Sequence, residues 1–284
     1  MGASSQCGST SLARAANVSG GHQIARRGAA RSSFRSDRHV KNRQLARAAF
    51  ATGIIGLAIV GFIFGDFAGL WAALPISATA RHALAFASSA LMFVCAIGLL
   101  IDGTEVLAAR VLLLYFALLV VALKIPVVIK APLVEGSWQS MSEMVVPLTG
   151  AWVLAVSSAR SIRIAQLVFG LALIPLGLSH FVYVNLTAPL VPAWLPYHTG
   201  WAYLTGAAHL AAALGVLVGI LPRLAAALEA AMLTIFTVLV WVPAIVAAPS
   251  SQGSWSEFTI SWAMSAAAWV VAASIIKKKS ARVG

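Results

Sequence analysis

Four ionisable side chains stand inside otherwise apolar runs: Asp66, Lys124, His180 and His209. Such groups are costly to hold at membrane depth and mark functional positions by default. Counting inward at about 1.5 Å per residue places His180 roughly one turn below the outer end of its span. Asp66 falls at a similar depth, Lys124 lies roughly 9 Å down, and His209 is near the middle. The functional reading is a polar cavity open to the outer side. Asp66, Lys124 and His180 line its mouth and His209 forms its floor. Histidine exchanges a proton near neutral pH. A quinone headgroup or a small acid would find hydrogen-bond donors there. The structural alternative is that Asp66 and Lys124 pair with each other, while each histidine bonds a backbone carbonyl between helices.

The other acids read more plainly. Glu229 lies about two turns from the cytoplasmic end of its span, as a snorkelling residue or a partner of Arg223. Glu143 and Glu257 fall at expected helix starts, where an acid suits the dipole. Metal binding is not expected, because His180, His198 and His209 share no i, i+4 face and no carboxylate motif accompanies them. The two cysteines, Cys7 and Cys95, make neither a disulfide framework nor a C-x-x-C redox pair. No nucleophile triad, phosphate loop or dinucleotide fingerprint is present.

The elements that must position these residues are membrane helices. Hydrophobic residues make up 60% of the chain and charged residues 10%, far from soluble globular usage. One apolar run after another approaches the ~20 residues needed to cross a bilayer core as helix. The runs are continuous, which excludes the alternating pattern of a β-barrel. The fold class is therefore all-α integral membrane protein. Eight transmembrane helices are expected near 49–74, 80–101, 105–130, 141–159, 161–185, 199–220, 223–248 and 256–275. Pro126 and Pro243 fall inside spans and predict matched kinks. Trp138, Trp194, Trp201 and Trp255 fall at outer boundaries and read as an aromatic belt.

The net charge of +12 lies mostly in the first 48 residues and the last nine. In a membrane protein this is a positive-inside flank rather than a nucleic-acid surface. Arg110, Arg160, Arg163 and Arg223 fall on the same side as both tails, and only Arg81, Lys124 and Lys130 fall on the other. Both termini are expected in the cytoplasm, in a multi-pass protein of the cell membrane. Residues 1–48 are rich in Arg, Ser, Ala and Gly with one acid, Asp37, and are expected to be a disordered basic tail. A targeting segment and a misassigned start are the alternatives. Residues 277–284 form a second basic tail.

The chain also resembles itself. Pro126 and Pro243, Pro132 and Pro249, and Gly136-Ser137-Trp138 and Gly253-Ser254-Trp255 are each 117 residues apart. Ala151-Trp152-Val153 and Ala268-Trp269-Val270 keep the same offset. Nearer the start of each half the offset becomes 114: Gly56-Leu57-Ala58 meets Gly170-Leu171-Ala172, and Phe67 meets Phe181. Fixed-offset Pro, Gly-Ser-Trp and Trp matches point to duplication. The units are 49–160 and 161–276. Four spans per unit make this a parallel repeat about an axis along the membrane normal.

The second unit resembles the DoxX and DoxX-like family of four-helix membrane proteins. The resemblance rests on a Gly-rich first span ending in Ser179-His180-Phe181, then Val191-Pro192-Ala193-Trp194-Leu195-Pro196. Tyr203-Leu204-Thr205-Gly206 and a Gly-rich close at Leu214-Gly215 follow. His209 stands where the family often has an acid. In the first unit Asp66 replaces His180, Met92 replaces His209, and the VPAWLP element is missing. The residues and the resemblance together lead to the expectation of a membrane component that binds or passes a small molecule in the second unit and is not an enzyme on its own. It carries no intrinsic cofactor, and its partners are the lipid bilayer and no nucleic acid. An alternative is the membrane subunit of a quinone-linked thiosulfate or sulfur oxidoreductase, with quinone as cofactor and a redox protein as partner. A further alternative is a structural scaffold.

Overall fold

The computed structural model describes residues 40–67 and 76–275, and every regular element among them is helical. The chain divides into two compact units, Met1–Gln44 and Leu45–Gly284. Of the first, residues 40–44 are described, and they are helical and exposed. The expected disordered tail of 1–48 is thus corrected at its end, since residues 40–48 are helix. Its remainder lies outside the described residues.

Among the described residues, eight long helices follow one another. They are α1 (Val40–Phe64), α2 (Ala78–Leu100), α3 (Glu105–Lys130), α4 (Glu135–Ala155), α5 (Ala159–Val182), α6 (His198–Val218), α7 (Pro222–Ala247) and α8 (Gln252–Ser274). Six of them (α1, α2, α3, α5, α6 and α7) are long and apolar enough to cross a membrane. The other two, α4 and α8, are as long but more polar. Their position explains this. α4 packs against α3, α5 and α8, while α8 packs against α4 and α7, and against α1 through Gly53 and Ala263. Helices covered on most sides by protein can carry Ser, Thr, Gln and Glu that a lipid-facing helix cannot.

Local sequence explains the ends. The first expected span, 49–74, stops at Phe64 because Gly65 takes φ +60, a left-handed cap that ends helices. The expected starts of α4 and α8, at 141 and 256, come too late. Gly136-Ser137-Trp138 and Gly253-Ser254-Trp255 are first-turn residues of these helices rather than connections. The indoles are pinned there. Trp138 Nε1 donates to Pro132 O at 2.9 Å, and Trp255 Nε1 to Pro249 O at 2.8 Å. Each ties its helix to the turn before it, beyond any boundary role.

The proline positions are resolved as π turns. Val120–Lys124 in α3 and Thr237–Trp241 in α7 are π-helical, each ending two residues before its proline. Proline lacks an N–H and its ring crowds the carbonyl four residues back, so the preceding turn widens.

Close approaches between helices use small residues, as expected where lipid gives no hydrophobic drive to association. A Cβ on Gly98 would stand 3.0 Å from Ala108 Cβ, and one on Gly215 would stand 2.7 Å from Ala225 Cβ. A Cβ on Gly150 would stand 2.7 Å from Ala267 Cβ, where α4 crosses α8. Gly150 and Ala267 are themselves 117 residues apart.

Candidate functional site

A buried polar group sits where α6 packs between α5 and α7. Glycine sets its geometry. A Cβ on Gly206 would stand 2.8 Å from Gly177 O and 2.9 Å from His180 Cβ, and one on Gly177 would stand 2.9 Å from Gly206 O. Helices α5 and α6 therefore touch backbone to backbone at this crossing, and any side chain there would part them. His180 and His209 each follow their glycine by three residues, which places both on the crossing face. Their rings come together with centroids 5.5 Å apart and planes at 33°. Phe181 and Tyr203 stack at 5.5 Å beside them.

The third member comes from α7. His209 Nδ1 lies 2.7 Å from Glu229 Oε1, with the two side chains 4% and 0% exposed. A carboxylate can only accept, so the ionised form of Glu229 makes Nδ1 the donor. The turn between α6 and α7 fixes this pairing. Gly219 (φ +81) and Leu221 (φ +48) are both left-handed there, and the helices run back antiparallel. His209 and Glu229 lie ten residues before and ten after Gly219. That symmetry was readable in advance. It replaces the expectation that Glu229 snorkels or pairs with Arg223.

Two polar atoms of this group are left open. Glu229 Oε2 and His180 Nδ1 are buried without a hydrogen-bond partner. An unpaired buried acceptor costs about 1–3 kcal/mol, more when charged. His180 therefore does not make the backbone bond expected of it through Nδ1, and His209 bonds a carboxyl instead of a carbonyl.

The four sequence candidates are not gathered into one cavity mouth. Asp66 accepts from Arg81 Nε at 2.8 Å and from Phe67 N at 2.7 Å, so the expected Asp66–Lys124 bridge is corrected. Burial alone would raise the Asp66 carboxyl. The Arg81 hydrogen bond, the Phe67 N–H and the charges of Arg81 and His82 outweigh burial and hold it below the ordinary carboxylate value. Lys124 is buried in α3 and donates to Ser140 Oγ on α4 at 2.8 Å. Glu143 is not at a helix start. It is the ninth residue of α4 and accepts from Gln139 at 3.3 Å. Glu257 is the sixth residue of α8 and is exposed. His180 and His209 are brought together and Glu229 joins them, while Asp66 and Lys124 bond Arg81 and Ser140.

Beside the group, a cleft of about 640 Å³ opens between α6 and α7. Its lining is apolar but for Glu229. Glu229 and Ala212 are its buried residues, and Leu214, Val218, Leu224 and Leu228 are exposed along it. The cavity is therefore not the polar one expected. Among the described residues no group of three or more His, Cys, Asp and Glu could hold a metal ion.

A family model described as Domain of unknown function (DUF8561) matches residues 169–275. No curated protein and no solved structure matches the chain.

The matched segment begins in α5 and runs to the end of α8, so it contains His180, His209 and Glu229 together. At positions 117 residues before His209 and Glu229 stand Met92 and Leu112, both buried in the apolar core. The polar pair belongs to the DUF8561 segment alone. Within it a hydrogen-bonding ligand would meet one open carboxyl oxygen and one open ring nitrogen.

Proposed function

We propose that the chain crosses the cell membrane eight times as two tandem, parallel four-helix units, with both termini in the cytoplasm. The units are α1–α4 and α5–α8, and the second, DoxX-like unit binds or passes a small molecule at Glu229, His209 and His180. One observation carries the functional part: a charged-type pair is buried among apolar helices with Glu229 Oε2 and His180 Nδ1 unpartnered. A purely structural pair would gain nothing from open valences in so dry a place.

The two-unit reading draws support from geometry that recurs at one offset. The π turns of α3 and α7, the indole bonds of Trp138 and Trp255, and the Gly98–Ala108 and Gly215–Ala225 approaches each recur 117 residues on. Gly150 meeting Ala267 is what an axis between the units demands, because matched positions meet each other on a two-fold. The orientation draws support from arginines that serve one end of the bundle. Arg47 binds Asp102 at 3.0 Å, and Arg110 caps Ala155 O at 3.4 Å. Arg163 caps Val216 O at 3.2 Å and Leu217 O at 3.3 Å.

The test is thermal stability of the purified chain against a panel of quinones, small acids and amines. A ligand at 100 times its dissociation constant adds roughly 2.7 kcal/mol. A shift in wild type that is lost in His209→Ala supports the site. No shift with any compound, with the variant merely less stable, leaves a scaffold.

A further inference from the structure

The cleft between α6 and α7 narrows the chemistry of what the site takes. We propose that it admits an apolar molecule with a cationic, hydrogen-bond-donating head, a lipophilic amine, whose ammonium is received by Glu229. This rests on the reading of Glu229, His209 and His180 as a binding group.

Three observations support it. First, the lining is apolar; of the exposed residues along it, Leu214, Val218, Leu224 and Leu228 lie on two helices apolar enough to span a membrane, and Ile220 and Leu221 lie in the turn between them. So apolar a cleft suits an occupant that partitions into the bilayer. Second, Glu229 is the one ionisable residue of the lining, its side chain is 0% exposed, and Oε2 has no partner. An orphaned carboxylate oxygen asks for a donor and rejects another acceptor. Third, His209 supplies one hydrogen bond to this carboxyl and the cleft supplies no second donor. With one hydrogen bond for two buried carboxyl oxygens, Glu229 is short of donors, and a cationic head supplies a stronger, charge-assisted one than a hydroxyl does. Met232 also lines the cleft. Its unbranched thioether side chain can shift to let the head reach the buried oxygen.

The experiment uses the full chain in lipid nanodiscs and three probes of one chain length: decylamine, decanol and decanoate. Saturable binding of tritiated decylamine is measured above empty nanodiscs, with the unlabelled compounds as competitors. The expected result is that decylamine competes at least tenfold better than decanol, and that decanoate does not compete. Glu229→Gln should weaken decylamine at least tenfold. Ala211→Trp fills the cleft from its exposed edge while leaving residue 229 as Glu, and should abolish binding. It keeps the test decisive if Glu229→Gln misfolds. Equal competition by decanol, or decylamine binding that survives both variants, overturns the amine assignment. If amine binding fails while some other panel ligand still shifts wild type but not His209→Ala, the ligand class falls and the site stands. If both fail, both readings fall together.

Discussion

Removing His209 should be far more damaging than removing His209 and Glu229 together. His209→Met strands the Glu229 carboxyl, which is 0% exposed and has Oε2 already unpartnered. Breaking a buried pair at one end costs about 3–5 kcal/mol. We expect roughly 3 kcal/mol, or a factor of about 150 in the unfolding equilibrium. The double variant His209→Met/Glu229→Leu installs what the chain itself carries at Met92 and Leu112, both buried in the core. Replacing a buried ion pair by apolar residues of similar size is commonly neutral or stabilising by about 1–4 kcal/mol. The double variant should therefore equal or exceed wild type. Equilibrium unfolding of the purified chain in mixed micelles, with wild type, both single variants and the double, closes the cycle. If the double variant loses the sum of the single losses, the pair is not a unit and the reasoning fails.

Gly206→Ala should cost about 1–3 kcal/mol by overpacking, because the new Cβ would meet Phe181 at 2.6 Å and Gly177 O at 2.8 Å. Gly200→Ala, whose nearest contact is Tyr197 Cβ at 3.7 Å, should be neutral or slightly stabilising. Thermal unfolding of both variants distinguishes a specific crossing from a general intolerance. The Asp66 carboxyl is held below its ordinary value, so its ion pair with Arg81 contributes above the unfolded value, about 3.9, and is lost as pH falls through the lower folded value. The stability gap between wild type and Asp66→Asn should be at most about 1 kcal/mol, as for a partly exposed pair, flat from neutral pH downward, and gone in acid. A gap that instead grows in acid would reverse the sign. On a background without Cys7 and Cys95, single cysteines at Leu133 and Ala248 should react with an impermeant maleimide from outside the cell. Cysteines at Asp102, Ser157 and Gly219 should react only after permeabilisation. Labelling of Ser157→Cys from outside would mean that α4 does not cross.

Much of the helix order was legible because apolar runs and their breaks are local properties. α3 spans the residues that hydropathy assigns to it, and α2, α6 and α7 end within two residues or so of expectation. The misplaced starts of α4 and α8 have one cause. Gly-Ser-Trp reads as a turn by composition, yet here glycine and serine sit in the first helical turn beside an indole that bonds the preceding loop. The site was half legible. His180 and His209 stood out as polar residues in apolar helices. Glu229 did not, because its meaning depends on a partner across a hairpin, and only the symmetry of that hairpin about Gly219 reveals it. Asp66 and Lys124 were misjoined because depth along a helix says nothing about which face a side chain takes. Their partners, Arg81 and Ser140, are set by packing.

The most direct measurement of the central claim is ligand-induced stabilisation in His209→Met/Glu229→Leu. This variant removes the polar pair without leaving a buried charge, so a lost response cannot be blamed on a damaged fold. The double variant should be as stable as wild type and should no longer respond to any compound that stabilises wild type. A double variant that still shifts with such a compound, by the same amount and at the same concentration, would place the binding elsewhere and contradict the account.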